Sequence, residues 1–125
     1  YQTLAELKRE GKIRAFGLSG KTIAGGLLAL EQGDCAMVTY NLAEQGEKPV
    51  LDYAAAHSKG ILIKKALASG HACLAGQDPV RASFELLFGH PGVSSAIVGT
   101  ITPQHLAANV ATAAAVIRDY TAQLR

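Results

Sequence analysis

An α/β fold of four parallel strand–helix units is predicted by three features of the sequence. Four short, mostly apolar stretches, over residues 13–17, 35–40, 61–65 and 94–98, are each followed by a segment of helical character. Strands that are apolar almost throughout point to parallel pairing with both faces covered. The units differ in length, so they are not a solenoid repeat. With 125 residues, 49% of them hydrophobic and 18% charged, the chain has enough apolar material for one domain with a real core.

The elements follow in order. Thr3 and Glu6 have the spacing of a capping box and predict a helix over 3–10, closed by Gly11, which tolerates the left-handed conformation. A strand over 13–17 and a loop at Leu18-Ser19-Gly20-Lys21 come next. Thr22 caps a second helix to about Gln32, in which Gly25 and Gly26 each weaken the first turns by roughly 1 kcal/mol against Ala. The strand over 35–40 leads through a polar loop to Pro49, which opens a third helix ending at Lys59-Gly60. The strand over 61–65 precedes a long glycine-rich loop over 66–77, and loops of that length are often functional. Asp78-Pro79 caps a fourth helix to Phe88, and Gly89-His90-Pro91-Gly92 is a turn. The strand over 94–98 breaks at Gly99, and the helix capped by Thr102 runs on into the Ala-rich segment over 111–124.

Composition narrows the function classes. The apolar runs are short and broken, so no bilayer span and no membrane association is expected, and no secretory leader pattern opens the chain. A first residue other than Met suggests a processed or truncated product. Net charge is +2, with Lys and Arg scattered and not interleaved with aromatics, so no nucleic-acid partner is expected. Cys35 and Cys73 are too far apart for a small disulfide scaffold and read as free thiols in a reducing compartment, which places the protein in the cytoplasm.

In any parallel α/β fold the ligand side is the set of loops after the strands. Here these carry Ser19-Gly20-Lys21, Tyr40-Asn41, the residues from Lys64-Lys65 to Gly76, and Gly99-Thr100. The last is the strongest candidate: a glycine opens the backbone to a ligand, and the following helix start offers free N–H groups and a positive dipole end to an anion. An ordinary strand–turn–helix joint has the same residues. Gly20-Lys21-Thr22 ends like a P-loop, but Ala15 stands where that motif needs its first glycine. Lys64-Lys65 closes an apolar strand, where one lysine could reach an anionic or aromatic ligand group and both could equally reach water. His71 and Cys73 are two ligands without a second pair and do not make a zinc signature, so no metal is expected. His57 suits a helix C-terminus, and His90 sits in a turn and needs no function. Four parallel units fit either a small doubly wound sheet or half of a (β/α)8 barrel, and composition does not separate them.

A larger set of residues narrows this. Ala15-Phe16-Gly17-Leu18-Ser19, Val38-Thr39-Tyr40-Asn41-Leu42, Leu67-Ala68-Ser69-Gly70, and Ile97-Val98-Gly99-Thr100 with Thr102-Pro103 and Asn109 together resemble the aldo-keto reductase family, in order and over nearly the whole chain. The resemblance implies the C-terminal half of that family's (β/α)8 barrel, strands five to eight, with residues 1–125 forming one half-barrel that is a fragment of a longer chain. It implies NADP as cofactor, with NAD as the other candidate, and a small aldehyde or ketone as substrate. On this reading Ser19 falls on the serine that bonds the nicotinamide carboxamide, followed by Gly20 in place of the usual Asn. Met37 stands where a carboxamide-binding Gln is usual, Lys64 where an aromatic residue or Arg meets the nicotinamide ring, and Lys65 where a Ser meets the pyrophosphate. Gly99, Thr100 and the helix start at Thr102 fall at the adenosine phosphates, His105 replaces an Arg or Gln at the 2′-phosphate, and Asn109 matches the adenine contact. Ala108 replaces a frequent Glu. No catalytic residue is expected in this chain, because the family's Asp, Tyr, Lys and His belong to the first half of the barrel. Tyr40 and Tyr53 lack the paired Lys that would make either an acid. The isolated chain is therefore expected to be inactive and to pair, as a homodimer or with the missing N-terminal half. The alternative is a non-catalytic nucleotide-binding or assembly half-barrel.

Overall fold

The computed structural model describes residues 1–68 and 78–124. The elements are α1 (Gln2–Arg9), β1 (Gly17–Ser19), α2 (Ile23–Gln32), β2 (Cys35–Thr39), α3 (Lys48–His57), β3 (Gly60–Lys64), α4 (Pro79–Phe88), β4 (Ser95–Ala96) and α5 (Pro103–Gln123). The four strands form one parallel sheet in the order β1-β2-β3-β4. Sequential order without a reversal is the arrangement along the wall of a (β/α) barrel. A doubly wound sheet reverses its order at a switch point.

Local chemistry explains most helix boundaries. The Thr22 side chain accepts from Gly25 N at 3.0 Å, and Asp78 accepts from the amides of Val80 and Arg81. Pro49 and Pro79 occupy first-turn positions, and Gly11 closes α1 at φ +75°. Gly26 lies where an added Cβ would stand 2.9 Å from the Val50 side chain, so close packing of α2 on α3 accounts for a glycine that helix propensity disfavours.

Several expectations are corrected. The Thr3–Glu6 capping box does not form: α1 starts at Gln2 with Tyr1 as an N-cap that makes no side-chain bond. The Tyr1 ring packs edge-on against Phe16, centroids 5.5 Å apart, and this tertiary contact sets the start of the helix. The first strand covers Gly17–Ser19 instead of 13–17, so Leu18 and Ser19 are strand residues and not loop. Asp34 N donates to the Phe16 carbonyl and Phe16 N to the Asp34 carboxylate, and pairing with β2 begins at Gly17, where an added Cβ would stand 1.9 Å from the Cys35 carbonyl oxygen. The third helix ends at His57, with Ser58 left-handed, and the third strand ends at Lys64, because Lys65 turns to φ +55°. The fourth strand is two residues, Ser95 and Ala96, and ends before Gly99. The helix after Thr102 runs on through the Ala-rich tail, as expected, and is one helix of 21 residues.

The two faces of the sheet differ in cover, as expected of strands that cannot close a barrel alone. Ala36, Val38, Ile61 and Ile63 are buried and join Leu30, Val50, Leu51, Phe84, Leu87 and Val116 in a single core between sheet and helices. The alternate residues Cys35, Met37, Thr39, Leu62 and Lys64 are only half-buried. One face is covered by helices and the other lies open.

Candidate functional site

The open face and the loops after the strands hold the residues singled out by the sequence, in two groups. The first follows from register. Ser19 on β1 pairs with Met37 on β2, which pairs with Leu62 on β3. Side chains two residues apart on a strand share a face, so Lys64 follows Leu62 on the open side. Its Nζ reaches back across β2 and donates to Gly20 O at 2.7 Å and Ser19 Oγ at 3.2 Å. Gly20 N donates to Met37 O at 3.3 Å. Ser19, Gly20, Met37 and Lys64 thus lie together at the carboxyl end of the sheet. An ammonium bound to the Ser19 oxygen leaves the serine proton free to be donated outward.

The second group lines a cavity of about 830 Å³ beyond the carboxyl ends of β3 and β4. Five of the predicted residues form its wall: Lys65, Gly99, Thr100, His105 and Asn109. An added Cβ at Gly99 would meet nothing within 4 Å, so the backbone there faces free space. His105 and Asn109 stand one turn apart on α5, a spacing that puts both on the cavity side. Thr102 does not line the cavity. It holds the N-cap position of α5 without the side-chain bond expected of it, and its own N–H donates to Thr100 Oγ1 at 3.3 Å. The Thr100 hydroxyl therefore shapes the turn into α5.

Residues not assigned a site role by the sequence also form the wall. Thr112 falls three residues beyond Asn109, and helical periodicity from His105 could have found it. Asp78, expected only as a cap, caps α4 and also lines the same cavity. Asn41 lies beneath it in the chain's hydrogen bonding: it is 1% exposed, and its amide donates to the Lys65 carbonyl at 3.0 Å. Its sequence position after a strand marks a turn residue, but nothing local links it to Lys65.

Two histidines have structural partners. Gly92 N donates to His90 Nδ1 at 2.9 Å, which makes Nε2 the protonated nitrogen, and Nε2 donates to Asp52 Oδ1 at 2.7 Å. His57 stacks on Tyr53 with centroids 3.9 Å apart. His71, Cys73, Ser69 and Gly70 lie outside the described residues. Among the described residues no group of three or more His, Cys, Asp or Glu side chains could hold a metal ion, and no helix is long and apolar enough to cross a membrane. Cys35 is a free thiol whose pKa is raised, first by burial and then by the Asp34 carboxylate.

Comparison with known proteins adds a family. No protein-family model and no curated protein matches the chain. Solved structures do, among them two described as "Putative aldo-keto reductase from Pseudomona aeruginosa" and as the crystal structure of the putative aldo-keto reductase from the same organism. Each is 68% identical over 94% of this chain, with a TM-score of 0.83. The chain covers 44% and 43% of their lengths, so it spans less than half of the proteins it matches. Identity at that level, over nearly every residue and on the same backbone, bears out the resemblance of this chain to the aldo-keto reductase family.

Proposed function

We propose that this chain is the C-terminal, cofactor-binding part of an NADP(H)-dependent aldo-keto reductase that reduces aldehydes or ketones, with NAD(H) as the less favoured cofactor. The observation that carries the reading is the cavity of about 830 Å³ on which Lys65, Gly99, Thr100, His105 and Asn109 converge. Its walls suit the adenosine end of a dinucleotide: open backbone at Gly99, the start of a 21-residue helix, a lysine as mobile cation, and an amide at Asn109. The nicotinamide end would lie on the open face at Ser19, where Lys64 orders the hydroxyl and Met37 offers a thioether in place of an amide. The cofactor supplies hydride. The chain's residues bind and orient it, and the proton donor comes from the part of the fold not in this sequence. The face of half-buried Met37 and Leu62 and exposed Ile97 is covered by that part in the working protein, or by a second copy of this chain.

Titration of the protein, at its full natural length, with NADPH and NADH tests the reading. Tighter binding of NADPH is expected, together with its loss in Gly99→Val. A Cβ at that position meets no protein atom within 4 Å, so a side chain can enter the cavity there without a backbone clash. Unchanged NADPH affinity in a folded Gly99→Val protein would make the joint at 99–102 an ordinary turn. Carbonyl reduction by the 125-residue chain alone would overturn the assignment of the proton donor to the remainder of the fold.

A further inference from the structure

We propose that Asn41 is the positioning residue for the cavity's lysine: it locks the backbone of Lys65 in a left-handed conformation that sets the ammonium on the cavity wall. The proposal rests on the cofactor reading for its ligand, and on hydrogen bonding alone for its geometry. Lys65 has φ +55°, a conformation that lysine adopts rarely and at a cost. It persists only where the surroundings over-determine it. Here its carbonyl is held twice, by Ala68 N at 2.9 Å and by Asn41 Nδ2 at 3.0 Å.

Asn41 is built for this task. Its side-chain oxygen accepts from Ala43 N at 2.9 Å and Glu44 N at 2.8 Å, and its backbone exchanges bonds with Glu44, so the side chain has one orientation. With the oxygen fixed, the plane of the buried amide is fixed too, and its nitrogen donates to the Lys65 carbonyl. A relaxed Lys65, with φ negative, would swing its Cβ off the wall it shares with Gly99, Thr100 and Asn109. The loop after β2 thereby controls a cation beyond β3, 24 residues away.

Asn41→Ala removes the link, and Asn41→Ser keeps a weaker turn while being too short to reach Lys65, so one of the pair remains foldable. In the full natural protein, each is expected to weaken NADPH binding five- to tenfold when Lys65 is present, and to leave it unchanged in a Lys65→Ala background. An equal loss in both backgrounds would mean that Asn41 only stabilises its loop, and would overturn the proposal. A second arm needs no ligand. Lys65→Gly accepts φ +55° without strain, so Asn41→Ala should lower the melting temperature less in that background than in the parent. Equal lowering overturns the backbone lock. Failure of the parent protein to bind NADPH would reject the cofactor reading instead, and the melting comparison would still decide the lock.

Discussion

The two faces of the sheet are made by alternate residues of the same strands, yet they have opposite fates. Ala36, Val38, Ile61 and Ile63 are buried to 1% exposure or less, while Met37 and Leu62 between them remain half-buried. Side-chain character does not explain the difference, since Met37 and Leu62 are as apolar as their neighbours. What differs is the cover: side chains of α2, α3 and α4 pack into the core on one face, and the residues of the other face are only half-buried. An apolar face without cover is the surface that a protein–protein or intrachain contact uses, and it is the face that carries Ser19 and Lys64. The covered face holds the fold together, and the other carries the Lys64–Ser19 bond.

The comparison can be broken most severely at the covered face. Ile63→Ala is expected to destabilise the protein by about 2–5 kcal/mol, the usual cost of a buried large-to-small change, measured as a lowered denaturant midpoint. Gly17→Ala forces a Cβ onto the Cys35 carbonyl and should cost about 1–3 kcal/mol; β1 is a short edge strand and can shift, which bounds the loss. Leu62→Ala, on the other face of the same strand as Ile63, should cost less than Ile63→Ala, about 1–2 kcal/mol, because Leu62 is only half-buried and leaves no closed cavity. Loss as large as that of Ile63→Ala would show that the open face is covered in solution.

The smallest effect is a pH dependence at the other end of the strands. The bond from Lys8, then the Phe16 amide, holds the Asp34 carboxyl below its ordinary value against a modest penalty from burial. A carboxyl with a lower pKa in the folded state stabilises the fold above its unfolded pKa, and this contribution fades as pH falls through the folded value. Asp34 is partly exposed, so the term should stay below about 1 kcal/mol. Asp34→Asn should flatten the fall in stability below about pH 4, where an unperturbed Asp begins to protonate, and leave the open face unchanged.

Sequence by itself determined the order of the elements, the start of α2 at Thr22 and of α4 at Asp78, the proline entry to α3, and the resemblance that singled out the cavity residues. These signals are local: a cap acts within one helical turn, and strand character is a property of a few adjacent residues. Tertiary structure alone decided what depends on a partner far along the chain. It moved β1 to Gly17, because pairing with β2 requires a residue without a Cβ there. It cut β3 at Lys64, because Asn41 holds Lys65 in a turn. It joined Lys64 to Ser19 across 45 residues of sequence, and it chose which half of each apolar strand would be covered. Apolar residues on both faces of a strand state that both can be buried; which one is buried depends on where the helices pack.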